Sequence, residues 1–135
     1  MPIDCELYCP DVRICCTETE MTLTREDAER IDSLGYSRED YLVRVKDGFC
    51  ELKNVNGNCY FYDPVTKMCI IYEARPEGCR WYPVVYHARK KRCYGDSECP
   101  ASRALTRTQV RRVCHNVRNL VRKLVVEATH GESPC

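Results

Sequence analysis

Twelve of the 135 residues are cysteine, and four of them crowd into the stretch CELYCPDVRICC at residues 5 to 16. The others follow at Cys50, Cys59, Cys69, Cys79, Cys93, Cys99, Cys114 and Cys135. Cysteines so arranged can do two kinds of chemistry: ligate a soft metal centre or pair as disulfides. The opening MPIDCELY has no basic start, apolar middle or small-residue cleavage site, so secretion is not expected. In a reducing cytosol ordinary protein disulfides stay open, which makes metal ligation the leading expectation. Disulfides are the alternative: intracellular proteins of hyperthermophiles are disulfide-rich, the cysteine count is even, and a charged fraction of 30% suits such a source.

Soft thiolates select zinc or iron-sulfur clusters over magnesium, calcium or manganese. Structural zinc sites typically hold two sulfurs of one tetrahedron in a CxxC knuckle, and the chain contains no strict CxxC. Iron-sulfur ligation accepts more varied spacing because a cube offers four separate corners, so the spacing leans toward iron. Adjacent Cys15 and Cys16 point in different directions on any regular backbone; they serve different sites, or one ligates while the other packs. Other catalytic signatures are missing. There is no HExxH and no GxSxG, the six glycines are scattered singly, and His87, His115 and His130 carry no motif.

The elements that must position these sulfurs fall into helical ends and a β-rich middle. Residues 22 to 35, TLTREDAERIDSLG, predict a short helix: Thr24 caps the first turn while Asp27 reaches back, Ala28, Ile31 and Leu34 share a face, and Gly35 suits a left-handed stop. Ser37 and Asp40 repeat that logic for a second helix over 38–43. From Phe49 to Tyr72, short β-rich pieces alternate with Asn56-Gly57 and Asp63-Pro64, which predicts an antiparallel meander. With DPVTK as a five-residue loop, Tyr62 faces Met68, Cys59 lies opposite Ile71, and Cys69 lies opposite Phe61. The two sulfurs are then diagonal neighbours, about 7–8 Å apart at Cα, which exceeds the usual disulfide range of about 4.4–6.8 Å but suits a shared metal. Pro76 opens a helical turn around Cys79 and Pro83 ends it.

The last third is the most regular. Val110, Val113, Cys114, Val117, Leu120, Val121, Leu124, Val125 and Ala128 recur at three- and four-residue steps, so a long amphipathic helix is expected over 108–129 with Gly131 as its stop. Cys114 falls on its apolar stripe as a small hydrophobe. Cys135, the final residue, is expected to fray without function. Aliphatic runs reach only three or four residues, far short of the roughly 20 needed to span a bilayer, so a cytoplasmic protein with no membrane partner is expected. Net charge is only +1, yet residues 1–40 carry eleven acids against four bases, while 89–123 carry eleven bases against two acids. The basic part, ARKKRC and the helix arginines, can bind nucleic acid, or the acidic part can fold against it and neutralise it.

The order CELYCPDVRICC, then MTLTREDAERI, then GNCYFYDPVTKMCIIYEARPEGCRWYP, then CYGDSECP resembles the YkgJ-type cysteine-cluster family, a zinc- or iron-chelating domain. The match covers roughly residues 5 to 100 and is most specific from Cys69 to Pro83; only the opening is looser than the family spacing. The resemblance implies metal ligation by Cys5, Cys9, Cys15, Cys16, Cys59, Cys69 and Cys79, with Cys99 as the eighth sulfur and Cys93 as its substitute. Cys50 stands where relatives are apolar and reads as core. Around Cys79, Arg75 and Arg80 either donate hydrogen bonds to ligand sulfur, or Arg75 pairs with Glu73 or Glu77. Some larger relatives, the flagellin lysine methylases, carry such a domain within an enzyme, but no methyl-donor pocket is recognisable here.

The expected fold is α+β, a small single domain of short helices, a β-meander or hairpin and a long C-terminal amphipathic helix, organised around cysteine-bound metal. Residues 1–100 form the cysteine-cluster part, and residues 101–135 the basic helix packed on it. The expected function is that of a metal-binding accessory protein holding one or two iron-sulfur clusters of the 4Fe-4S type, with a redox, sensing or cluster-handling role and a protein partner. The alternative is a structural zinc module that presents the basic helix to a protein or nucleic acid.

Overall fold

The computed structural model describes residues 16–135. Among them are four α-helices and eight short strands, a mixed α+β architecture. Helix α1, Arg25–Asp32, begins as expected, with a reciprocal capping box: the Thr24 side chain accepts from Asp27 N, and Asp27 in turn accepts from Thr24 N. It buries Ala28 and Ile31. Helix α2 is shorter than predicted, Arg38–Tyr41, because Leu42 is already extended and starts strand β1, Leu42–Arg44. The Tyr41 ring is fully buried, and its hydroxyl donates to Asp32 Oδ1 at 2.6 Å while lying 3.1 Å from Ala28 O. Burial first, and then the Asp32 carboxylate, push that hydroxyl above the usual tyrosine range.

The expected meander is instead a row of separate two-stranded hairpins. Strand β1 pairs with β2, Cys50–Leu52; β3, Asn54–Val55, pairs with β4, Asn58–Cys59; and β5, Tyr62–Asp63, pairs with β6, Met68–Cys69. The β3–β4 turn is the primed type that its sequence requires, with Asn56 at φ 52° and Gly57 at φ 81°. The β5–β6 register differs from expectation by one residue. Asp63 belongs to the ladder opposite Met68, its Oδ1 accepts from Val65 N at 2.9 Å, and its carbonyl accepts from Lys67 N at 2.7 Å. That local turn shortens the loop to four residues, puts Cys69 opposite Tyr62, and leaves Cys59 opposite Asn54 in another hairpin. The two cysteines are therefore not diagonal neighbours in one ladder.

Helix α3, Glu77–Trp81, follows Pro76 as predicted. A hairpin that the sequence does not announce comes next, β7 at Val84–His87 and β8 at Arg92–Gly95, with the run ARKK in its turn. The long helix α4, Arg107–Thr129, is capped by Thr106 and Gln109 in a second capping box and ends before Gly131 at φ 67°.

Two apolar clusters result. One gathers Leu23, Ile31, Tyr41, Leu52, Phe61 and Ile71; the other packs Val84, Val113 and Val117 with Trp81 and Tyr86. Near the end of α4 the buried position is Glu127 rather than Val125, which is 47% exposed. The Glu127 carboxylate accepts from Arg25 N at 2.8 Å, at the start of α1 where free amides attract an anion.

Two disulfides lie among the described residues. Cys50 bonds to Cys135 with 5.9 Å between Cα atoms, and Cys93 bonds to Cys114 at 5.7 Å. Three of these cysteines depart from expectation. Cys135 does not fray: Arg25 Nε donates to Glu132 O at 3.2 Å, Arg38 Nη1 to Pro134 O at 3.0 Å, and Arg44 to the Cys135 carbonyl, so the tail is laid against the first cluster. Cys114 is buried on the helix stripe as expected, but as half of a cystine facing β8. Cys93, the substitute ligand, has its sulfur in that same bond and no thiolate to offer a metal.

Candidate metal centre

Four cysteines reach one cavity of about 40 Å³: Cys16, Cys59, Cys69 and Cys79. Each comes from a different piece of backbone. Cys16 precedes an antiparallel bridge between Thr17 and Asn58, while Glu18 N donates to Gly57 O at 2.7 Å, which lays the entering chain beside β4. Thr19 and Asn54 lock that placement, Thr19 N donating to Asn54 Oδ1 and Asn54 Nδ2 to Thr19 O. Cys59 ends β4, Cys69 ends β6, and Cys79 lies on α3. The remaining wall is largely apolar, from Leu52, Phe61, Met68, Ile71 and Pro76, with Thr19, Tyr72 and Arg75 beside them, so these cysteines line a space of low polarity.

Asp27 positions the last of them. It is 1% exposed and its Oδ1 accepts from Glu77 N at 3.0 Å, tying α1 to the first residue of α3. Arg30 donates to the same oxygen at 2.8 Å, to Arg75 O at 2.9 Å and to Ala74 O at 3.3 Å. One buried carboxylate and one guanidinium thus hold the chain from Ala74 to Glu77, directly before Cys79. Asn in place of Asp27 should destabilise the protein by about 2–3 kcal/mol, because an amide donor would then face donors. Thr24→Ala, which removes only the cap, should cost about 1 kcal/mol. Urea unfolding curves read both, and equal midpoints for the two variants would contradict the clamp. Gly78 contributes too, since a Cβ there would collide with Met21 Sδ.

Arg75 is the charged residue among those lining the cavity. Its guanidinium lies 4.0 Å from the centre of the Tyr72 ring, and Nη1 donates to Tyr72 O at 2.8 Å. Neither Glu73 nor Glu77 pairs with it among the ion pairs of the described residues. Its Nε is buried with no hydrogen-bond partner among the described residues. A buried N–H of this kind costs about 1–3 kcal/mol unless something accepts from it, and a sulfur-bound centre in the cavity would be one such acceptor.

Of the predicted ligands, then, the structure brings Cys16, Cys59, Cys69 and Cys79 together with Arg75. Cys99 is buried at the start of the turn Pro100–Ala104 and is not among the cavity-lining residues; Arg80 is half-buried on α3 and also outside the lining. Cys5, Cys9 and Cys15 lie outside the described residues. No group of three or more Cys, His, Asp or Glu side chains among the described residues is drawn close enough to hold a metal ion by itself. The donor set nevertheless fits a soft metal: sulfur from four segments, an apolar wall, and one buried cationic donor. Sequence alone does not reveal Asp27 as a positioning group, because its role in the capping box already accounts for an aspartate at that place.

Comparison with known proteins agrees with this chemistry. Residues 4–115 match the CxxCxxCC family, described as a "Putative zinc- or iron-chelating domain", and the chain belongs to that family. It is 35% identical over 89 residues to the uncharacterized protein MJ0661 of Methanocaldococcus jannaschii. That alignment covers 61% of this chain and 47% of the relative, so the chain spans about half the length of the protein it matches. No solved structure matches the chain. The family supports a metal-binding role, and no helix among the described residues is long and apolar enough to cross a membrane.

Proposed function

We propose that the protein is an iron-sulfur protein whose centre is held at the cavity by Cys16, Cys59, Cys69 and Cys79. The observation that carries this reading is the meeting of these four cysteines, from four separate segments, around one largely apolar space that Arg75 also lines. Ligands delivered singly by the entering chain, two hairpins and a helix suit a centre with separate corners better than a zinc knuckle, which takes its sulfurs in pairs from one turn. When bound, a cluster supplies one-electron chemistry, and the accessory roles that follow are electron transfer, redox sensing or cluster handling. The chain's own part is to exclude water with Leu52, Phe61 and Ile71 and to offset thiolate charge with Arg75.

Anaerobic purification, elemental analysis and a visible spectrum test this directly. The expected result is a brown protein containing iron and acid-labile sulfide. A colourless protein with stoichiometric zinc would overturn the iron assignment while keeping the donor set. Arg75→Met should weaken metal retention about tenfold or more in competition with a chelator, since groups that bond to ligand atoms typically contribute that much. Unchanged retention would remove Arg75 from the site.

A further inference from the structure

We propose that the groove between β8 and α4 binds single-stranded RNA along its phosphate backbone. The groove encloses about 1020 Å³ and is lined by Arg92, Arg107, Arg111, Arg118 and Arg122 with His115, and no carboxylate is among its lining residues. It runs into a second hollow of about 280 Å³ that shares Arg118 and Arg122 and adds Lys91 and Tyr86. It shares no residue with the sulfur-lined cavity, so the proposal stands apart from the metal.

The sequence leaves open whether the acidic part of the chain neutralises this helix, and the structure answers for the described residues. Lys123 pairs with Glu26 at 2.7 Å and Glu127 receives Arg25 N, so the side of α4 toward α1 is matched. None of the five groove arginines forms an ion pair among the described residues; Arg118 and Arg122 reach only Lys91 O and Asn119 Oδ1. Five arginines without an ion pair among the described residues thus line this one groove.

Its form selects the ligand. Arg107, Arg111, Arg118 and Arg122 recur at steps of four and seven, which keeps them on one face of α4 over about 22 Å, room for several consecutive phosphates. Guanidinium forks suit phosphate oxygens better than a lysine surface would. Tyr94, 46% exposed beside Arg92, stands 6.2 Å from the His87 ring, centroid to centroid, and offers unstacked bases a platform at the edge of the charged track. An acidic peptide has no use for such a platform. The face of α4 that carries these arginines is the wall of a concave groove, a shape that suits a flexible single strand better than a rigid duplex. The hydroxyls of Tyr94 and Ser102 can meet the 2′-hydroxyl, which favours RNA over DNA.

Fluorescence anisotropy with a labelled single-stranded RNA oligomer, titrated into the full-length chain at several salt concentrations, tests the proposal. Arg111→Gln with Arg118→Gln should weaken binding about tenfold or more and flatten the slope of log affinity against log salt by about 1.4, which is about 0.7 for each phosphate that is no longer neutralised. The charge-matched pair Arg103→Gln with Arg112→Gln removes two exposed cations outside the groove and should leave the slope unchanged. All four side chains are exposed, and unchanged circular dichroism verifies that both variants fold. Equal weakening by the two pairs, tighter binding of a DNA duplex, competition by polyglutamate as effective as by RNA, or equal affinity for the matching deoxyoligonucleotide would each overturn it.

Discussion

Serine in place of Cys69 or of Cys79 is expected to give protein that has lost its metal and is largely insoluble. The magnitude follows from size. Structural metal sites contribute on the order of 10 kcal/mol to folding, and a domain's whole net stability is about 5–15 kcal/mol. The segments that carry these cysteines have little else to hold them: β5 and β6 are two residues each, α3 is five, and the first apolar cluster is closed on this side by Phe61 and Ile71 at the cavity itself. Cys99→Ser, outside the cavity lining, should keep the cavity's metal. Metal content per chain and unfolding by circular dichroism measure all three. Wild-type metal content and stability in both Cys69→Ser and Cys79→Ser would refute the centre, and loss of half the metal from Cys99→Ser would reveal a second one.

The parts of the fold that the sequence announces are those settled by local chemistry. The α1 capping box, the primed turn at Asn56-Gly57, the helical turn after Pro76 and the long stripe of α4 each depend on residues within a few positions of one another. Pairing across a loop is less legible. The β5–β6 register turns on whether Asp63 belongs to the loop or to the ladder, a choice made by its own side chain bonding Val65 N. The hairpin at 84–95 is hidden by composition, since ARKK reads as a charge run before it reads as a turn. The stripe fails only at Val125, where the partner across α4 is the amide end of α1 and a carboxylate is buried instead.

The site shows the same division. Family likeness names the cysteines, and the fold gathers Cys16, Cys59, Cys69 and Cys79, whereas the placement of Arg75 is settled only by the folded backbone, because its choice of Tyr72 over Glu73 or Glu77 is one of geometry. The cysteines also divide by position. Those at the cavity sit on short hairpins, a short helix and the chain entering at Cys16, while the two disulfides among the described residues fasten the tail to β2 and α4 to β8. On sequence alone, metal and cystine are rival explanations of a single count. In the fold different cysteines line the cavity and form the disulfides of the described residues.

That separation makes the tail disulfide the other large effect. Cys135→Ser should lower stability under non-reducing conditions by about 4–5 kcal/mol, because Cys50 and Cys135 are 85 residues apart and cross-linking them removes much of the freedom of the unfolded chain. The expected fall in melting temperature is roughly 15 °C for a chain of this length. Cys114→Ser, which opens a bond between residues 21 apart, should cost less, about 3 kcal/mol, on the same account. The tail's hydrogen bonds from Arg25, Arg38 and Arg44 do not replace the covalent link, since each is an exposed or half-buried interaction worth about 1 kcal/mol at most. Thermal unfolding of wild type and both variants, with and without a dithiol reductant, reads the difference. The order should be wild type, then Cys114→Ser, then Cys135→Ser without reductant, and the gaps should close once the bonds are reduced. A Cys135→Ser variant that melts with wild type in the absence of reductant would show that the tail is held without the bond.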